Sequence, residues 1–133
     1  MTDRKERLFI DGIEAFNQDR YYDAHEYWED LWSDYYFKDR LYIQGLIQMA
    51  VGYFHITNKN LKGARSMMKK CLTKFEPYQR VRGADVISLK TQIIRVQNYF
   101  NDIEDTSTIE NIYLLLISIF GLYIVKKIID KNP

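Results

Sequence analysis

The residues best suited to chemistry lie between Tyr21 and Trp32, where the sequence reads Y-Y-D-A-H-E-Y-W-E-D-L-W. His25 is one of 2 histidines in the chain, and Glu29 follows it at a spacing that places both side chains on one helix face. An imidazole beside a carboxylate can transfer protons, bind a metal ion or form a structural hydrogen bond. Tyr21, Trp28 and Trp32 share this face. The stretch therefore predicts a polar crevice lined by aromatic rings.

A second polar stripe falls in the next predicted helix, at about 40–57. Gln44, Gln48 and His55 lie within about 40° of one another on an otherwise apolar helix. A short connection makes consecutive helices antiparallel neighbours, so the two stripes are expected to face each other. The predicted crevice thus contains six polar residues: His25, Glu26, Glu29, Gln44, Gln48 and His55.

Three chemistries remain open for this crevice. In the first, which we favour, Glu29 and the two glutamines satisfy both histidines in a buried structural network. In the second, His25, Glu29 and His55 hold a divalent transition metal such as zinc, iron or manganese. The spacing matches neither His-Glu-x-x-His nor the repeated Glu-x-x-His of di-iron bundles, so we expect no cofactor and keep the metal as an alternative. In the third, a Glu–His pair acts as general base in a metal-free pocket.

Composition indicates one globular domain spanning residues 1–133, with 47% hydrophobic residues and 28% charged residues. The net charge of +1 gives no electrostatic reason to expect a nucleic-acid partner. The single cysteine, Cys71, excludes an internal disulfide, suits a reducing cytoplasm and falls on an apolar helix face as a core residue. The charged N-terminal residues open no apolar signal segment, so we expect a cytoplasmic protein.

Apolar periodicity predicts an all-α fold, a six-helix antiparallel bundle. Asp85 is expected to cap the fifth helix, and a loop is expected at 77–84. Gly45 and Gly52 could let another helix approach closely, at about 1 kcal/mol each relative to alanine. The predicted helices span about 3–18, 21–34, 40–57, 60–76, 86–101 and 108–130.

The last predicted helix is unusual because residues 111–125 carry no charge. This stretch is shorter than the roughly 20 residues of a membrane span, so a buried or subunit-covered helix is expected. We therefore predict a homodimer through this helix and no membrane partner. Membrane association, with Lys126 and Lys127 at the interface, is the alternative.

Several blocks of the sequence together resemble a known family. The blocks are Phe16-Asn17, Tyr22, Ala24-His25-Glu26, Trp28-Glu29, Leu31-Trp32, Gln44-Gly45-Leu46-Ile47-Gln48-x-Ala50, His55 and Asn60-x-x-Gly63-Ala64. They resemble the small bacterial and archaeal family known as domain-of-unknown-function family number 309. The resemblance covers roughly residues 8–76, implies an all-α fold and falls on the same crevice, but it implies no reaction. The C-terminal helices at about 85–130 lie beyond it.

The sequence thus predicts a non-catalytic binding or interaction module organised around a His–Glu–Gln network. The alternative is a metal-dependent or acid–base enzyme that acts on a small molecule in the crevice of His25, Glu29 and His55. The sequence does not identify a substrate or partner.

Overall fold

The computed structural model describes residues 3–101, which form five α-helices and one short β-hairpin. None of these helices is long and apolar enough to cross a membrane. The predicted all-α class is confirmed, whereas the sixth helix, with the dimer and membrane hypotheses that depend on it, lies outside the described residues. The elements are α1 (Arg4–Asn17), α2 (Tyr21–Asp34), α3 (Arg40–Thr57), α4 (Leu61–Phe75), β1 (Arg80–Val81), β2 (Ala84–Asp85) and α5 (Val86–Asn101).

Three of the helices begin at a side chain that satisfies a free backbone N–H. Asp3 accepts from the Glu6 N–H at 2.8 Å, and Asn60 accepts from the Gly63 N–H at 2.9 Å. Asp85 accepts from the Ser88 N–H at 3.1 Å, which confirms the predicted cap of the fifth helix.

Helices that are neighbours in sequence pack on one another, and glycines allow the close contacts between them. The indole of Trp28 on α2 occupies the space that a Cβ on Gly12 of α1 would need, and its N–H donates to the Phe9 carbonyl at 3.1 Å. Gly45 receives the ring of Phe75, and Gly52 receives the side chain of Met68. The close approach predicted at Gly45 and Gly52 is therefore confirmed, since both contacts come from α4.

Cys71 lies in the core that α4 shares with α3 and α5. Its side chain has no solvent exposure, and its thiol donates to the Met68 carbonyl at 3.2 Å. Burial raises the pKa of the thiol to about 12, so it stays protonated at neutral pH. The predicted core position of this cysteine is confirmed.

Residues 77–84 were expected to form a loop, but part of this segment pairs as a hairpin. Arg82 and Gly83 have positive φ angles of 50° and 78°, as a tight hairpin turn requires. Two-residue strands leave no periodic pattern in a sequence, so this pairing could not be predicted. The Arg82 guanidinium donates to Asp39 at 2.6 Å and lies 4.7 Å from the Phe9 ring centroid, which ties the hairpin to the α2–α3 connection.

Charge is divided between two helices that both pack against α3. Helix α2 carries no lysine or arginine, and α4 carries no aspartate or glutamate. The acidic residues of α2 are Asp23, Glu26, Glu29, Asp30 and Asp34. The basic residues of α4 are Lys62, Arg65, Lys69, Lys70 and Lys74.

Because the Trp28 indole is rigid and hydrogen-bonded, Gly12→Ala should lower the free energy of unfolding by about 2 kcal/mol or more. In the matched variant Gly52→Ala, the added methyl group meets the flexible end of Met68 at 2.9 Å and the less mobile Met67 Cβ at 3.3 Å. Its cost should be smaller than that of Gly12→Ala and partly offset by the roughly 1 kcal/mol gained in helix propensity. Urea unfolding of both variants measures the difference. Equal stability of the two would contradict this account of the α1–α2 contact.

Candidate functional site

Both histidines of the chain line one pocket between α2 and α3. Its volume is about 200 Å³, and its walls are Tyr22 and His25 from α2 with Val51, Phe54 and His55 from α3. On α2 the two lining residues are three apart, and on α3 Val51 and His55 are four apart, so each helix presents one face to the pocket. The predicted approach of the two histidine-bearing faces is therefore observed at this end of the helices.

His25 is held by a carboxylate one helical turn along α2. Its Nε2 lies 2.5 Å from Glu29 Oε2, and the side chains are 21% and 54% exposed. A carboxylate only accepts hydrogen bonds, so the proton of a neutral His25 lies on Nε2. Its Nδ1 is buried and has no hydrogen-bond partner among residues 3–101. The second nitrogen of this imidazole is thus an unsatisfied buried acceptor in a residue that lines the pocket.

His55 is held by the turn that connects α3 to α4. Asn60 Nδ2 lies 3.3 Å from His55 Nδ1, and the Asn60 backbone N–H donates to the His55 carbonyl at 2.8 Å. Gly63 makes this packing possible, because a Cβ there would lie 2.9 Å from the imidazole and 2.7 Å from Asn60 Nδ2. The N-terminal turn of α4 is therefore part of the support of the pocket.

The aromatic walls of the pocket are Tyr22 and Phe54. Their ring centroids are 5.4 Å apart, and Tyr22 also lies 5.3 Å from the His25 ring. Tyr22 is 51% exposed, which leaves part of its ring open to solvent. The pocket is consequently a surface site with apolar walls and two imidazoles.

The predicted network between α2 and α3 is not formed within residues 3–101. Each histidine has a local partner instead, Glu29 for His25 and Asn60 for His55. Gln48 Oε1 is buried without a partner among these residues, and Glu26 is exposed. Gln44 is half-buried on α3. Helical spacing and the capping turn supply partners at short range, so neither histidine depends on a glutamine.

The three aromatic residues predicted to line the crevice have other roles. Tyr21 and Trp28 are buried in the core, where both pack against Phe16 of α1. Trp32 lies under the guanidinium of Arg40, at 4.2 Å from its ring centroid. This prediction was wrong because it placed the whole face of the helix in the crevice, whereas the apolar edge of that face is buried in the core.

Sequence reasoning missed Tyr22, Val51 and Phe54 as wall residues and Asn60 and Gly63 as supports of His55. The signal was present, because Tyr22 precedes His25 by three residues and Val51 precedes His55 by four, spacings that place each pair together on a helix.

Within residues 3–101, no three side chains from histidine, cysteine, aspartate and glutamate lie close enough to hold a metal ion. His25, Glu29 and His55 therefore form no such group in the part of the chain that is described. Residues beyond 101 include further carboxylates, so metal binding stays a prediction.

The fold and the pocket define a class: an all-α domain with a surface pocket lined by paired histidines and aromatic rings. Residues 9–67 match the model of the family described as Domain of unknown function (DUF309), which confirms the resemblance seen in the sequence. The matched stretch contains every wall residue of the pocket and the Asn60–Gly63 turn. It ends within α4, earlier than the expected limit near residue 76. No curated protein matches the chain.

Gly63→Ala should displace the His55 ring and weaken its contact with Asn60, because the added methyl group needs the space of both side chains. With 2 histidines in the chain, the imidazole region of a ¹³C–¹H NMR spectrum resolves each ring. The His55 signals should shift while the His25 signals stay in place. Shifts of equal size for both rings would contradict a local role for Gly63.

Proposed function

We propose that this protein is a non-catalytic binding module whose pocket between α2 and α3 holds a small ligand. The observation that carries the proposal is the convergence on one pocket of both histidines, which lie 30 positions apart in the sequence on consecutive helices, with aromatic walls between them. Apolar walls with a few polar groups are typical of small-molecule sites. The unpartnered Nδ1 of His25 supports the same conclusion, since a buried polar atom is normally satisfied.

The size of the pocket limits the ligand. Its volume of about 200 Å³ lies below the roughly 300–1,000 Å³ of sites for drug-sized molecules. The group that enters this pocket is therefore about the size of one substituted ring, held by stacking on Tyr22 and Phe54 and by hydrogen bonds to the imidazoles. A neighbouring cavity of about 290 Å³ shares Tyr22 and Phe54 and can hold a further part of the ligand.

Val51→Phe should fill the pocket and abolish ligand binding, because Val51 forms part of its wall. The matched control is Ile94→Phe on α5, a change from another β-branched residue at a position that is 45% exposed. A library of single-ring fragments is screened against the full chain by ligand-observed NMR, and each hit is tested on both variants. Circular dichroism verifies that both variants keep their helices.

Hits that survive in Val51→Phe, or that are lost to the same degree in Ile94→Phe, would place binding elsewhere and overturn the proposal. A screen in which no fragment perturbs the His25 or His55 signals of the natural protein would also count against it.

A second candidate function, acid–base catalysis, is favoured by the His25–Glu29 pair alone. A carboxylate bonded to one imidazole nitrogen stabilises the imidazolium that forms when the other nitrogen accepts a proton. In this reading His25 Nδ1 removes a proton from water or a substrate hydroxyl in the pocket, and Glu29 stabilises the resulting charge.

This candidate predicts turnover of a simple activated ester such as 4-nitrophenyl acetate above the rate of free imidazole at equal concentration. His25→Gln should remove that excess, a loss of about 100-fold for a true general base. Glu29→Gln should also lower the rate, whereas the control Asp30→Asn, an exposed acid of the same helix, should not. A rate no higher than that of free imidazole would leave the binding module as the sole proposal.

A further inference from the structure

The orientation of the Asn60 side-chain amide is fixed by the backbone. The Gly63 N–H can only donate, so the Asn60 atom that it contacts at 2.9 Å is the amide oxygen. The other amide atom, 3.3 Å from His55 Nδ1, is therefore the nitrogen, which donates. An imidazole nitrogen that accepts a hydrogen bond carries no proton, so the proton of His55 lies on Nε2.

We infer that Asn60, by holding His55 in this tautomer, makes the His55 side of the pocket selective for a ligand group that accepts a hydrogen bond. The inference rests on the proposed function, because it names the class of ligand for the same pocket. His55 Nε2 has no hydrogen-bond partner among residues 3–101 and is not one of their buried, unsatisfied atoms. It is thus a donor open to a bound molecule, and Asn60 is a positioning residue that never touches the ligand.

The charges near the pocket have both signs. Helix α2 is acidic, and its Glu29 is bonded to His25, whereas Lys59 lies in the turn of Asn60 and Lys62 adjoins Gly63 beside His55. The ligand class is therefore a single-ring compound with a carbonyl oxygen, a carboxylate or an aromatic ring nitrogen as acceptor.

The variant Asn60→Asp reverses the polarity of the contact with the least change in structure. Aspartate caps a helix as well as asparagine does, so α4 keeps its N-terminal cap. A carboxylate can only accept, so in Asn60→Asp a neutral His55 must place its proton on Nδ1. Asn58→Asp is the matched control, since it adds the same charge to the same turn through an exposed side chain.

The tautomers are read directly from imidazole ¹⁵N chemical shifts of the full chain. The natural protein and Asn58→Asp should show His55 protonated at Nε2, and Asn60→Asp should show it protonated at Nδ1. If the natural protein carries the His55 proton on Nδ1, the inference is wrong, whichever ligands the pocket binds.

Selectivity is measured by NMR titration with three probes of similar size. Acetophenone offers a neutral acceptor, indole offers only an N–H donor, and benzoate offers an anionic acceptor. Because His25 Nδ1 is an unsatisfied acceptor in every variant, the readout is the ratio of the affinities for acetophenone and indole. Compared with Asn58→Asp, Asn60→Asp should lower this ratio by roughly five- to tenfold, the worth of one hydrogen bond, and should weaken benzoate binding in the same direction. The natural protein should show the same ratio as Asn58→Asp.

The outcomes separate this inference from the proposed function. A ratio of acetophenone to indole affinity that Asn60→Asp leaves unchanged overturns the inference while the pocket remains a binding site. Absence of binding by all three probes also overturns the predicted ligand class, and the Val51→Phe experiment then decides whether the pocket binds anything.

Discussion

The close contact between Trp28 and Gly12 is the constraint on which the rest of the structure depends. The indole fits against α1 because Gly12 has no side chain, and its N–H is satisfied by the Phe9 carbonyl. This contact fixes the rotation of α2 about its axis, since Trp28 must face α1. Once that rotation is set, His25 lies at the edge of the core, three residues back along the helix, and faces the pocket beside α3. A packing contact between Trp28 and Gly12 therefore determines where the side chain of His25 points.

The two imidazoles are held by different local contacts. His25 is bonded within its own helix, to Glu29 one turn further along α2. His55 is bonded to the cap of the next helix, so its orientation depends on how α4 begins. Each ring keeps one nitrogen that is not used by residues 3–101. The pocket thus contains one fixed donor, His55 Nε2, and one nitrogen, His25 Nδ1, that has no partner among the described residues. Such an arrangement is suited to the recognition of a ligand.

Most of the fold could be predicted from the sequence, because the patterns that mark a helix and its ends lie within short stretches of residues. Helices α2 and α3 begin and end where apolar periodicity and short polar connections predicted, and Asp85 forms the expected cap. The meeting of His25 and His55 also followed from spacing. The wrong predictions share one cause. Each depended on the rotation of a helix or on a backbone dihedral angle, and a residue pattern specifies neither. Trp28 and Trp32 were assigned to the crevice, and the hairpin at Arg82 and Gly83 was taken as a loop.

The separation of charge between α2 and α4 has a consequence for how the molecule behaves in solution. A net charge of +1 describes a nearly neutral protein, yet one described helix is wholly acidic and another wholly basic. The described part of the molecule therefore carries one acidic and one basic surface, so at low ionic strength it should orient toward charged surfaces of either sign. It should be retained by both anion- and cation-exchange resins. Moderate salt should release it from each resin, because salt screens the attraction between the charges of these helices and the resin.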